Sequence, residues 1–380
     1  MSFVYICNVI YIKLIAINMC VIFDCVIKIV TNLKIKSMRL KESLLILAGV
    51  FLCLSHNLEA QTKIESKEDS VKQSTIPMSY VPKVSGFVNA RFQNTNSTFV
   101  VGKNGFEIKN AIIDITGNAT NVINYRLRFE LAITPQILDA YAEWKPIKYL
   151  GLQIGQFQVP YTFENQYVPK TLETAEYSQV ISNLILATNG VKNKGRDIGV
   201  SINGNLFSQS GFNLIDYKVA AFNGNTFNAP DDNSSIDLLG SINVNPIKPL
   251  SIAASYLTGK YGPEATKTDK NRASLGIKYE DGKALFRAEY VTGLTNAVTA
   301  TGYYAMAGYF VTKEIQPILK YDFLQTNTTL ATSGNTQYLA GINYWLPNKS
   351  RVFLDFTYNV SKNPAIVDTG NITAGLIVAF

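Results

Sequence analysis

Tyr125-Arg126-Leu127-Arg128-Phe129-Glu130-Leu131 places four large apolar side chains in strict alternation with two arginines and a glutamate. A period of two is that of a β-strand, whose successive side chains point to opposite faces. The pattern recurs along the chain. Leu275, Ile277 and Tyr279 alternate with Ser274, Gly276 and Lys278; Phe286, Ala288 and Tyr290 with Arg287 and Glu289; Leu319, Tyr321 and Phe323 with Lys320 and Asp322; and Leu354, Phe356 and Tyr358 with Asp355 and Thr357. A soluble sandwich would turn the charged face to outer water. A barrel in a lipid bilayer turns its apolar face to lipid and its charged face to an aqueous lumen.

Segments of this kind run from 84–93 to 371–380 and number about sixteen, an even count as bacterial barrels require. The predicted fold is all-β, a transmembrane antiparallel β-barrel with a long inward-folded loop between strands 5 and 6. Beyond residue 60 no apolar run approaches the ~20 residues a membrane helix needs. Short connections, such as Pro146–Lys148, Pro246–Pro249 and Pro347–Lys349, alternate with long polar ones at 223–235, 261–269, 326–334 and 361–370, as periplasmic turns and external loops would. Tyr279, Tyr290, Tyr303, Tyr304, Tyr344, Trp345 and Tyr358 are expected in the aromatic girdles. The last strand runs its apolar face through Ile372, Ala374, Leu376 and Val378 to Phe380, an ending expected to be read by barrel-assembly machinery.

The first sixty residues are different in kind. Met38-Arg39-Leu40-Lys41 is a basic n-region, Leu44 to Leu54 an apolar h-region, and Ala60 a small residue before Gln61, so residues 38–60 read as an export signal peptide. Residues 1–37 read as a spurious N-terminal extension of a protein that starts at Met38, since a second export-type segment has no use. Residues 61–83 are polar and suit a flexible periplasmic leader, leaving 84–380 for the barrel.

All four cysteines and the one histidine, His56, fall within those sixty residues. The remainder has no side chains for histidine-dependent catalysis, for His/Cys metal sites or for disulfides, and the reading calls for no enzyme and no cofactor. Removing the six bases and three acids of residues 1–60 from 35 and 28 leaves 29 against 25, a small surplus that argues against nucleic acid as a partner.

The longest connection, Pro160 to Gly195, is too apolar for a free loop. Leu172, Ala175, Val180, Ile181 and Leu184 suggest a short helix beginning after Pro169. Such a segment either folds inward, where a wall supplies backbone partners, or caps the outside; the inward position is the expectation. The alternation phase turns Arg91, Arg126, Arg128, Lys218, Lys278, Arg287 and Lys320 inward as candidate solute-binding, pore-lining residues. Lys170, Lys192, Lys194 and Arg196 belong to the constriction loop. Rings of such cations at a narrow point attract anions. Glu130, Asp114, Asp139, Glu143, Asp216, Glu289, Asp322 and Asp355 share the inward face, and a mixed ionic ladder can equally serve only to solvate a lumen.

Gly155-Gln156-Phe157-Gln158-Val159-Pro160-Tyr161, Glu176-Tyr177-Ser178, Ser182-Asn183-Leu184 and Gly195-Arg196-Asp197-Ile198-Gly199-Val200 together resemble the phosphate-selective porin O and P family. The first and last motifs bracket the long loop. The resemblance implies a sixteen-stranded barrel, usually trimeric, with an inward third loop and a basic, anion-selective constriction. One position departs from it: where members often carry Arg after the loop Glu, this chain has Tyr177. The expectation is therefore an outer-membrane porin for passive diffusion of small anionic solutes, with phosphate or polyphosphate as the narrower candidates. Its partners are outer-membrane lipid, those solutes, the assembly machinery and two further copies in a homotrimer. The alternatives are a general, non-selective pore and a structural or adhesive barrel.

Overall fold

The computed structural model describes residues 80–96, 104–132, 134–186, 195–209, 211–225 and 227–380. The expected signal peptide, most of the leader, Lys192 and Lys194 lie outside the described residues. Sixteen strands follow in order: β1 Lys83–Asn96, β2 Gly105–Asn118, β3 Ile123–Glu130, β4 Gln136–Ile147, β5 Leu150–Gln158, β6 Arg196–Gln209, β7 Phe212–Phe222, β8 Asp237–Ile247, β9 Leu250–Tyr261, β10 Thr268–Glu280, β11 Ala284–Thr295, β12 Val298–Tyr309, β13 Ile315–Gln325, β14 Gly334–Trp345, β15 Arg351–Ser361 and β16 Thr369–Ala379. Each pairs antiparallel with its neighbours, and β1 closes on β16 from Phe87↔Ala379 to Asn96↔Gly370. No strand edge remains, so every ladder can satisfy its backbone in a medium without water.

The burial pattern is inside out. Arg272, Arg287 and Arg351 are among the most enclosed side chains, whereas Leu319 is 65% exposed and Ile154 63%. Leu127, Leu275, Phe286, Phe356, Leu376, Val378 and Phe380 also face outward. An outer band of rings links β12 to β14, with Tyr303 stacked on Tyr321 at 6.0 Å and Tyr321 edge-on to Tyr338 at 5.5 Å. Two expected girdle residues do not join it. Tyr304 is buried on the lumen face, donating from its hydroxyl to Glu289 at 2.6 Å, and Trp345 donates from its indole N–H to lumen-side Gln316 at 2.8 Å. Both fall on the inward phase of their strands, beside Met306 and Asn343 respectively. Residue type suggested a girdle, and strand phase overrode it.

The alternation places a strand at 302–312, and β12 is found at Val298–Tyr309. Asn296 and Ala297 take positive φ angles of 51° and 62°, forming a two-residue hairpin that lets β11 and β12 continue to meet. Asn is at ease in that conformation, but Ala297 gave no signal of it.

Leu319 sits midway along β13 with its side chain outward. Leu319→Arg is expected to cost ~2–4 kcal/mol, the charge for a cation at mid-bilayer depth. Urea unfolding from lipid vesicles, with Leu319→Ala as reference, measures this; equal midpoints for the two variants would contradict a lipid-facing Leu319.

Candidate functional site

The connection between β5 and β6 enters the lumen through a pinned neck, where Val159 N–H donates to Gly195 O at 2.8 Å. Gly195 adopts φ +66°, and a Cβ there would come within 2.0 Å of Asn165 Oδ1, so only glycine suits the position. A first helical turn, α1, covers Phe163–Gln166 and is capped by Thr162 Oγ1, which accepts from Asn165 N–H at 3.2 Å. A second, α2, starts at Gln179–Ile181 and widens through Ser182–Leu186. Helix therefore forms on both sides of the expected site after Pro169, where the chain only turns. There Val168 N–H donates to Thr171 Oγ1 and Thr171 N–H to Val168 O, a local pairing that competes with a helical ladder.

The apolar face of α2, Val180, Ile181, Leu184 and Ile185, packs on Val291, Ala300, Tyr304, Met306 and Leu324 of the wall. Approach is close enough that a Cβ on Gly302 would stand 2.8 Å from Val180 Cβ. Polar clamps complete the seat. Glu289 accepts the backbone N–H groups of Phe163 and Glu164 at 2.6 and 2.7 Å, Asp355 that of Ala175 at 2.7 Å, and Asp322 that of Gln179 at 2.7 Å. Loop carbonyls are held by cations: Arg351 donates to Glu173 O at 2.6 Å and Thr174 O at 3.1 Å, and Arg272 to Leu184 O at 3.1 Å. Glu164, fully buried, ties α1 to the start of α2 by accepting Ser178 N–H at 2.8 Å and Oγ–H at 3.0 Å. Tyr177 braces the turn by donating to Tyr167 O at 2.8 Å.

These contacts run from β10 to β15, and the tip residue Glu176 reaches β1 and β2, meeting Arg91 at 2.6 Å and Lys109 at 3.1 Å. A charged chain lines the wall from β2 to β6. Arg126 forks Asp114 with two bonds of 2.8 and 2.5 Å, Arg128 bridges Asp114 at 2.8 Å and Asp139 at 3.2 Å, and Arg196 meets Asp139 at 2.7 Å. Three arginines thus alternate with two aspartates. Arg126 is the most open of the three, its side chain 29% exposed. Lys170, on the loop, adds a further cation within the field of this chain. Its pKa is lowered by burial and by Arg128 and Arg126, against an opposing pull from Asp114.

The structure distributes the remaining sequence-predicted residues unevenly. Arg91 is held by Glu107 and Glu176, Arg287 by Glu173 at 2.8 Å, and Lys320 lies 3.5 Å from Ser178 Oγ and 3.9 Å from Asp322. These three hold the loop rather than standing open to a solute. Lys218 on β7 and Lys278 on β10 lie half-buried on the lumen side; Lys218 lies in the field of Glu143 and Asp216, and Lys278 forms no ion pair among the described residues. Lys270, Arg272 and Arg351 were not singled out. Lys270 and Arg272 continue the inward phase of Ser274, Gly276 and Lys278, and Arg351 that of Phe353 and Asp355, so the signal was present at the strand ends.

Removing two clamps together, as Glu289→Ala with Asp355→Ala, is expected to free the loop and raise single-channel conductance and current noise; an unchanged open level would show that the clamps do not hold it. Glu176 responds to pH. Burial pushes its carboxyl up, but Lys109 and Arg91 outweigh that and hold it below the ordinary 4.5. Its hold on the loop tip is therefore complete above pH 4.5 and lost as pH falls through the depressed value. The share of loop noise that Glu176 restrains should appear only as pH falls below 4.5, whereas Glu176→Gln should show it at neutral pH.

Residues 83–232 match the family model described as phosphate-selective porin O and P. No curated relative matches the sequence. Among solved structures, the anion-selective porin from Comamonas acidovorans aligns with TM-score 0.64 at 13% identity, covering 79% of this chain and 99% of that one. OmpF of Salmonella typhi aligns with TM-score 0.62 at 12% identity over 80% and 98% of the two chains. The outer membrane channel DcaP of Acinetobacter baumannii gives 0.58 at 11% over 79% and 97%. At such identities the likeness is one of fold, and it spans nearly the whole of each neighbour. With a match over residues 83–232 and a closed sixteen-stranded barrel narrowed by an internal loop, the chain is similar in sequence to the phosphate-selective porin O and P family and in fold to solved porins.

Proposed function

We propose that this porin is a passive channel favouring small anionic solutes, with selection at the narrow passage between the internal loop and the β2–β6 wall. The observation that carries the reading is the cluster of Arg126, Arg128, Arg196 and Lys170 about only Asp114 and Asp139, with Glu130 and Glu143 on the same wall but bonded to asparagines outside it. In a low-dielectric surround such an excess focuses a positive potential on the passage. Arg126 is the residue best placed to offer donors to a passing anion, since its partner Asp114 is shared with Arg128. Phosphate or polyphosphate is the narrower form of the reading. Against a long ladder for them stands the commitment of Arg91, Arg287 and Lys320 to the loop, so a short selective step is expected rather than a file of binding sites.

The neighbour described as anion-selective supports this preference, and a related porin described in a trimer form supports a homotrimer. Residues 38–60 are proposed to direct export and to be removed before Gln61, with outer-membrane lipid and barrel-assembly machinery as the remaining partners. The family match and the likeness to solved porins favour a channel over an enzyme.

The test is the reversal potential of single channels in a KCl gradient, with phosphate titrated against the chloride current. An anion-selective potential that moves toward zero in Arg126→Gln and Arg128→Gln would support the reading, and saturable block by phosphate its narrower form. Conductance without selectivity would replace it with a general diffusion pore. A folded barrel without conductance would favour an adhesive role.

A further inference from the structure

On the side of the short turns, beneath the loop, lies a cavity of about 860 Å³ bounded by β7 to β14. That volume is within the ~300–1,000 Å³ typical of small-molecule sites. Its chemistry differs from that of the passage above. The ammonium of Lys278 stands 5.5 Å from the ring centroid of Phe163 and 6.0 Å from that of Tyr167, with no carboxylate partner among the described residues. The arginines of the β2–β6 wall, by contrast, each have an acidic partner. Of the three acids at the cavity two are already engaged, Glu173 by Arg287 and Asp216 by Asn205 and Asn245, and the third, Glu280, is exposed to solvent at the end of β10. Leu285 and Phe310 extend the apolar lining beside Phe163.

We propose that this vestibule is a binding station for small aromatic monocarboxylates. The carboxylate takes the open side of the Lys278 ammonium, a charge-assisted contact in a partly desolvated place, and the ligand's ring lies along Phe163, Tyr167 and Phe310. A phosphate gains nothing from those rings, and the lining offers it ammonium groups, Lys278 with the exposed Lys313 and Lys349, but no guanidinium fork. An aliphatic acid would gain the charge contact alone. The station rests on the channel reading above, because solute must reach it through the pore.

Benzoate and acetate serve as probes, each titrated against chloride current through channels purified from the outer membrane of an expressing host. Benzoate is expected to block in a saturable manner and acetate to block at least about tenfold more weakly. Lys278→Gln should weaken benzoate block by about tenfold, the scale of one charged hydrogen bond. Lys278→Arg should recover much of it, and would show that the barrel tolerates change at this position. Equal block by the two acids would overturn the aromatic assignment, and undiminished block in Lys278→Gln would overturn the site. The wild-type reversal potential in KCl alone reports the passage above. A non-selective potential together with Lys278-dependent benzoate block would therefore sink the anion-leaning reading and leave the station standing.

Discussion

Glu289, Asp322 and Asp355 take four backbone N–H groups of the internal loop, each at 2.6 or 2.7 Å, and the working shape of this pore depends on that capture. A segment crossing a barrel at membrane depth carries amides and carbonyls that need partners, and it can lie there only if the wall supplies them. The wall supplies carboxylates for the amides and Arg272, Arg351 and Asn343 for the carbonyls. Such bonds to charged groups are stronger than neutral ones, and breaking one leaves a buried charge uncompensated. The apolar face of α2 against Met306, Val291 and Leu324 adds area but no direction. The carboxylates set where the chain must pass.

This anchoring governs which charges remain for solute. The lumen of β10 to β15 is rich in cations, yet Arg272, Arg287, Lys320 and Arg351 are turned toward the loop, and their field is met by Glu164, Glu173, Asp322 and Asp355. On the proposed reading, selection then falls to the opposite wall, where Arg126, Asp114, Arg128, Asp139 and Arg196 form one alternating chain. Such a chain holds its arginines in fixed geometry and also dilutes their charge. Tyr177 fits the same economy of charge: at a place where the family often has arginine, this loop has a phenol that donates to its own backbone.

The alternation in residues 125–131 and its repeats determined the barrel, its strand number and which basic residues turn inward, because strand periodicity is local and lipid tolerates few charges. Motifs at Gly155 and Gly195 likewise marked the two stems of the loop. Only the tertiary structure decided what each inward charge does. Arg126 and Arg287 are alike in sequence, each an arginine between apolar neighbours, but one faces Asp114 at an open wall and the other Glu173 from a distant loop. Pairing between residues more than a hundred positions apart has no periodic signature. The turn at Asn296-Ala297 and the inward phase of Tyr304 and Trp345 were lost for a related reason: residue type suggested one environment, and register with the neighbouring strands imposed another.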